Sequence, residues 1–208
     1  MQTASVQVAA DLVGHRIQTK ICNQAKRQEL AKKANIQATA LPYFQATDSL
    51  LLTDSTAIAQ FIIRQNQAKA GALLGSTPFA EAAVNQLVAM ASSAIIPKVR
   101  TIEATVFGTT VNPDAHAAAV KDLKEACKVL NTLIGDKAWL NGQSMTFADV
   151  HVFMALAPAF QLTLDAGFRK AMPALAAWFE KMSKLPAIVG RVGFIKPCMK
   201  ALPPAKKA

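Results

Sequence analysis

The 208-residue chain is short of several things that would define it quickly. It has one tyrosine, Tyr43, and three cysteines, Cys22, Cys127 and Cys198. Odd in number and far apart, these cysteines make no disulfide scaffold and read as reduced thiols. Neither they nor His15, His116 and His151 have metal-ligand spacing, so no metal is expected. No uninterrupted apolar run approaches the roughly 20 residues of a membrane span. The start, MQTASVQVAADL, has no basic segment followed by a long apolar core, so a secretion signal is not expected either and the compartment reads as cytoplasmic. GxxxxGK[ST] and GxGxxG phosphate loops are absent. Trp139, Trp178 and Phe179 are not interleaved with basic residues as a base-stacking platform would be, which argues against sequence-specific reading of nucleic acid. Acidic residues are scarce as well, 13 against 23 Lys and Arg, for a formal charge of +10.

What is present is apolar material, 52% of the chain, enough for one large domain or two smaller ones with separate cores. The positive charge gathers in Lys20 to Lys33 and in Arg169 to Lys207. An acidic partner such as the ribosome, RNA or an acidic protein surface would suit it, and solvated helix faces plus a basic tail would account for it equally well.

Residues 1–70 mix strand and helix patterns. Val6 and Val8 alternate with Ser5, Gln7 and Ala9, as in a short strand. Leu12 to Lys33 has helical spacing at Val13, Ile17, Ile21, Ala25 and Leu30, with a break expected near Asn23 to Arg27. Next come a strand at Tyr43–Gln45, a turn at Thr47–Ser49, a strand at Leu50–Leu52 and a helix from Asp54 or Ser55. Gln65 to Ser76, with Gly71 and Gly75, reads as a linker placed at 71–79. Strand signals then vanish, and helices are expected at Pro78–Val106, Ala115–Ile134, Thr146–Leu164, Met172–Lys184 and Pro186–Val192. Pro158 should kink or shorten the third of these. Cys127 falls on an apolar face with Val120, Leu123, Leu130 and Ile134. The last residues, 201–208, read as a Pro/Lys linker or tail.

The run from Trp139 to Val152, WLNGQSMTFADVHV, carries the densest local signal. Asn141-Gly142 makes a turn, Thr146 is an N-cap, and Asp149 lies three residues on, where its carboxylate reaches back to the cap amide. Met145 and Val150 flank this box as an apolar staple. The box resembles that of the all-helical domain of glutathione transferase-like proteins. Leu41-Pro42-Tyr43 is similar to the cis-proline segment of thioredoxin-like domains, and TDSTAIAQFI to the strand end and helix that follow it in transferases. LLGSTPFAEAAVNQLVAMASSAIIP, FRKAMPALAAWFEKMSKLPAIVGRVG and FIKPCMKAL then follow one family order. The Gly-Ser-Thr-Pro entry and the spacing from Phe168-Arg169 to Trp178-Phe179 narrow the resemblance to the gamma subunit of translation elongation factor 1B, in its transferase-like N-terminal part. The fold implied is α/β plus all-α: a reduced thioredoxin-like domain over 1–70, short of one strand, then an all-helical domain over 80–200.

A transferase of this kind holds glutathione at the helix beginning near Ser55, where main-chain amides and the helix dipole favour its γ-glutamyl carboxylate. By resemblance Asp54 and Ser55 match the family's acid-serine pair, and Pro42 offers main-chain groups to the cysteinyl moiety; Asp54 or Ser55 also reads as a plain N-cap. Between Val8 and Ile17 no Tyr, Ser or Cys is available to lower the thiol pKa, leaving His15 and Arg16 as candidates. Arg16 sits where the elongation-factor relatives carry an arginine. No cofactor other than glutathione is implied. The function implied is a non-catalytic scaffold that binds the exchange subunit of elongation factor 1B, and through it elongation factor 1-alpha; a homodimer is compatible with it. The alternatives are an active glutathione transferase and a transferase-like domain appended to a tRNA synthetase complex.

Overall fold

A computed structural model describes residues 2–34, 42–46 and 51–206. The first element corrects the sequence reading: Gln2–Val13 is a helix, α1, where a strand was expected around Val6 and Val8. The alternation there covers too few residues to separate a period of two from a helical face. Val6, Ala10 and Val13, spaced four and three apart, are all buried, and α1 is fixed by that face. Gly14, at φ 72°, ends the helix in the left-handed region, where the His15 amide donates to Ala10 O at 2.9 Å. The chain from His15 to Asn23 then has no regular structure, so no helix runs up to the expected break. α2, Gln24–Ala34, follows, its start capped by Asn23, whose Oδ1 accepts from the Lys26 amide at 2.9 Å.

The hairpin is present as β1, Phe44–Gln45, and β2, Leu51–Leu52, antiparallel with Phe44 opposite Leu52. Leu41, the expected turn at Thr47–Ser49 and Leu50 lie outside the described residues. α3, Ser55–Arg64, starts at an Asp54 N-cap whose Oδ1 accepts from the amides of Thr56 and Ala57, both at 2.9 Å. It buries Ile58, Ala59, Ile62 and Ile63 completely, packed against α1.

The expected linker is mostly helix. α4 spans Gln67–Leu74, and only residues 75–77 separate it from the next helix. Its position is set by distant partners: Asn66 Nδ2 donates to Val13 O and Lys69 Nζ to Leu12 O, each at 2.8 Å. Two carbonyls left over at the end of α1 are thereby satisfied. Gly75, φ 105°, is needed there, because a Cβ would lie 2.3 Å from the Glu81 nitrogen.

α5, Pro78–Met90, continues through a π turn, Ala91–Ile95, into α6, Ile96–Val106. Pro97, which has no N–H to give, sits just past the turn, where the Ile96 amide donates five residues back to Ala91 O. By length and composition this continuous helix could cross a membrane. Here it packs against α7, Pro113–Ile134, and α8, Phe147–Leu162. α8 is the buried axis of the helical part. Every residue in it except Gln161 is buried, and it runs on past Pro158 to Leu162.

One helix was expected over Met172–Lys184; the structure adds α9, Ala166–Ala171, capped by Asp165, before α10, Pro173–Ser183, and α11, Pro186–Val192. The end of the chain is also corrected. Residues 194–206 form an irregular strap bonded to the helices, with the amides of Cys198, Leu202 and Ala205 donating to Phe160 O, Leu162 O and Thr105 O at 2.8, 2.7 and 2.9 Å. Residues 207 and 208 of the expected tail lie outside the described residues. A single apolar cluster extends from Val6 in α1 to Ile188 in α11, so the two parts share one core.

Candidate functional site

A cleft of about 300 Å³ opens where α1, α3, α6 and α8 meet. α1 brings Thr3 and Ser5 from its first turns, α3 brings Ser55 from its first position, and Pro42 lies beside them. The facing wall is Arg100 and Glu103, a helical turn apart on α6, with His151, Met154 and Pro158 from α8. The hydroxyl side is therefore opposed by one cation, one anion and an imidazole.

The sequence places these groups for local reasons. Asp54 caps α3 by accepting from the amides of Thr56 and Ala57, which puts Ser55 at the first helical position, 5% exposed and lining the cleft. Asp54 itself is exposed. His151 is buried within α8, and its Nε2 lies 3.0 Å from Ser92 Oγ in the π turn. Ser92 donates its own hydroxyl hydrogen to Val88 O at 2.9 Å. The imidazole Nε2 thus carries the hydrogen and donates to Ser92. Burial holds the His151 pKa below its ordinary value, with the Asp54 carboxylate acting in the opposite sense, so a neutral imidazole lines the wall.

Of the candidate residues, Pro42 and Ser55 meet in this cleft, with Asp54 at its edge as the cap of α3. His15 and Arg16 do not. They follow Gly14 at the opposite end of α1, a helix of 12 residues and about 18 Å, and Arg16 is exposed. Reading residues 5–9 as a strand displaced the expected strand–helix junction to the wrong end of this helix. Thr3 and Ser5 occupy the cleft end and were missed, although two small hydroxyl residues opening an apolar helix were a usable signal. Arg100, Glu103 and His151 left no local signal, since only tertiary packing brings them together.

Thr146 and Asp149 form a separate structural centre. Asp149, fully buried, accepts at Oδ1 from the Leu140 amide at 3.0 Å and Trp178 Nε1 at 2.9 Å. Its Oδ2 accepts from the Thr146 amide at 2.8 Å and hydroxyl at 3.1 Å. Four donors offset the desolvation of one carboxylate. Among the described residues no group of three or more His, Cys, Asp or Glu side chains could hold a metal.

Residues 89–186 match the glutathione S-transferase C-terminal domain. The GST-like domain of elongation factor 1-gamma from Saccharomyces cerevisiae superposes with a TM-score of 0.84 at 16% identity, covering 99% of this chain and 94% of that one. Poplar glutathione transferase F1 superposes with a TM-score of 0.77 at 16% identity, covering 92% and 91%. In sequence, elongation factor 1-gamma of Carassius auratus is 30% identical over 203 residues, 93% of this chain and 44% of the relative. The Homo sapiens protein is 29% identical over 164 residues, 78% of this chain and 36% of the relative. The fold is that of the glutathione transferases. Within that class the chain is a homologue of elongation factor 1-gamma, and it spans less than half the length of these curated relatives.

Proposed function

We propose that the chain is a scaffold subunit of the translation elongation factor 1B complex, working in the cytoplasm and binding the exchange subunit that recharges elongation factor 1-alpha. The observation that carries this reading is the 30% identity to elongation factor 1-gamma across 203 residues, which spans both the α1–α3 part and the helical part. A shared binding surface needs both parts in place, and the continuous core keeps them so. Size-exclusion chromatography with light scattering tests it on the chain alone and mixed with the N-terminal domain of the exchange subunit. A stoichiometric complex supports the scaffold, and the chain alone reports a homodimer. No complex at tens of micromolar sinks the reading, and co-purification with tRNA synthetases would put the domain in a synthetase complex instead.

A second reading has its own support. The cleft gathers Pro42 and Ser55 with the hydroxyls of Thr3 and Ser5, an arrangement suited to a glutathione whose carboxylate meets the start of α3. Retention on glutathione resin that is lost in Ser55→Ala supports it. No binding at millimolar glutathione rules it out.

A further inference from the structure

Glutathione held in this cleft needs a proton acceptor beside it, because a thiol reacts as its thiolate. His15 and Arg16 lie at the other end of α1. Thr3, Ser5 and Ser55 bring hydroxyls, which take up no proton near neutral pH, and Arg100 is already a cation. Among the described residues of the cleft, the groups able to accept are the carboxylate of Glu103 and the imidazole of His151. A thiol that titrates near about pH 8.5 is matched far better by an imidazole at about 6.5 than by a glutamate at about 4.3.

The bonding around His151 decides which of its nitrogens is available. The Nε2 hydrogen is committed to Ser92, whose own hydrogen goes to Val88 O, so Nδ1 carries the lone pair. No donor among the described residues meets Nδ1, yet it is not one of the sealed unpaired atoms, which are Arg27 Nε and Thr163 Oγ1. The side chain is 5% exposed and lines the cleft, so this nitrogen opens into it. Ser55 Oγ is placed alike: buried, without a partner among the described residues, and open to the cleft. In a cleft of about 300 Å³ a molecule held at Ser55 by its carboxylate comes within reach of His151. The Asp54 carboxylate at the start of α3 already acts on the imidazole. Glutathione's ammonium is matched by a carboxylate, Asp54 or Glu103, and of its remaining donors only the thiol is acidic enough to give its proton up.

We propose that His151 Nδ1 accepts the proton of a thiol bound in this cleft, a role that rests on the glutathione reading. The S–H bond breaks, its electron pair stays on sulfur, and the proton passes to Nδ1. A thiolate is left beside an imidazolium, with no change in net charge. Of the chain's charged groups, Asp54 acts on the imidazole, and Arg100 and Glu103 share its cleft; α1 and the π turn bring hydroxyls to it and no charge. Burial keeps the imidazole neutral beforehand, and the thiolate then raises its pKa in the same sense as Asp54. Ser92 acts as a positioning residue by fixing the tautomer.

Two measurements on the whole chain test this, with glutathione and with S-methylglutathione, which has no S–H. Calorimetry in buffers of different ionisation enthalpy counts the protons released on binding, and ultraviolet absorbance reports thiolate. At about pH 7 glutathione should bind with thiolate absorbance appearing and no proton reaching the buffer, because His151 keeps it. In His151→Gln, whose amide N–H can still donate to Ser92, the bound thiol should titrate about one pH unit or more higher, while S-methylglutathione binds as before. A circular dichroism melt checks the fold, and if the variant does not fold the proton count on the parent chain decides. Full release of the proton to buffer, binding as the neutral thiol, or an unshifted titration in the variant would overturn the role of His151 and leave the glutathione reading standing. Failure of both ligands to bind at millimolar concentration would overturn the reading and this role together.

Discussion

The indole Nε1 of Trp178 donates to Asp149 Oδ1 at 2.9 Å, joining α10 to the start of α8 through two side chains that are both buried. The same oxygen holds the Leu140 amide, so one carboxylate fixes three segments of chain. Asp149→Ala would strand the Leu140 and Thr146 amides and the indole N–H and should cost about 3–5 kcal/mol. Trp178→Phe removes one donor and leaves the carboxylate three, so about 1–2 kcal/mol is expected. Urea titration of both variants checks the order; equal losses would mean the indole carries the centre.

Stability should fall on mild acidification. Burial lowers the pKa of His151 and of His116, whose Nδ1 is 2.7 Å from Thr105 Oγ1. The unfolded chain therefore takes up protons at a higher pH than the folded one. Their contribution is complete above the ordinary imidazole value of 6.5 and is lost as pH falls below it toward the depressed folded values. Tm measured from about pH 8 to about pH 5 should decline, and His151→Gln should flatten the decline over that window. A variant with the same slope as the parent would remove His151 from the account.

The three thiols should separate by reactivity. Cys127 is fully buried in α7 and burial pushes its pKa up to about 12, so it should resist alkylation until the chain unfolds. Cys22 is partly exposed in the cationic loop and should react first. Cys198, partly exposed in the strap and with its pKa raised by burial, should follow. Timed iodoacetamide labelling read by peptide mass spectrometry distinguishes this order from any other.

The strap depends on Arg169. Its Nη1 donates to Leu164 O at 2.5 Å and to Cys198 O at 2.6 Å, bridging the end of α8 to the strap. Arg169→Met keeps much of the aliphatic stem and removes both bonds, so about 1–3 kcal/mol of stability should be lost. Limited proteolysis should show new cutting between residues 193 and 200. Unchanged protection would assign the hold to the backbone bonds of Cys198, Leu202 and Ala205.

What could be read from the chain alone was whatever neighbouring residues settle among themselves. The Thr146–Asp149 box, the Asp54 cap and the bounds of α11 are short-range matters, as is the helical face that buries Cys127. Val6 and Val8 misled because five residues of alternation fit a strand and a helix alike, and the burial that decides between them comes from α3, α8 and α11. α4 was hidden because Asn66 and Lys69 secure it through carbonyls more than 50 residues away. The strap is held by main-chain amides, which leave no mark on side-chain pattern. The cleft was half legible: Pro42 follows from the resemblance to the cis-proline segment and Ser55 from a helix start, whereas Thr3 and Ser5 were lost with the mistaken strand and the opposite wall needs the packed fold.

The two bonds from Asn66 and Lys69 to the last carbonyls of α1 have a further effect. They close a clasp between residues 12–13 and 66–69, so the excursion that leaves α1 at Gly14 and returns through α3 begins and ends at a joint already shut. A nick at residues 20–23 of that excursion, in exposed irregular chain, should yield two fragments that stay together, with the helical part and the α1–α3 contact intact. Insertions and deletions in the largely exposed stretch 20–24 should likewise be absorbed with little cost to the rest, leaving α2 free to diverge among related chains while the body that carries it stays the same.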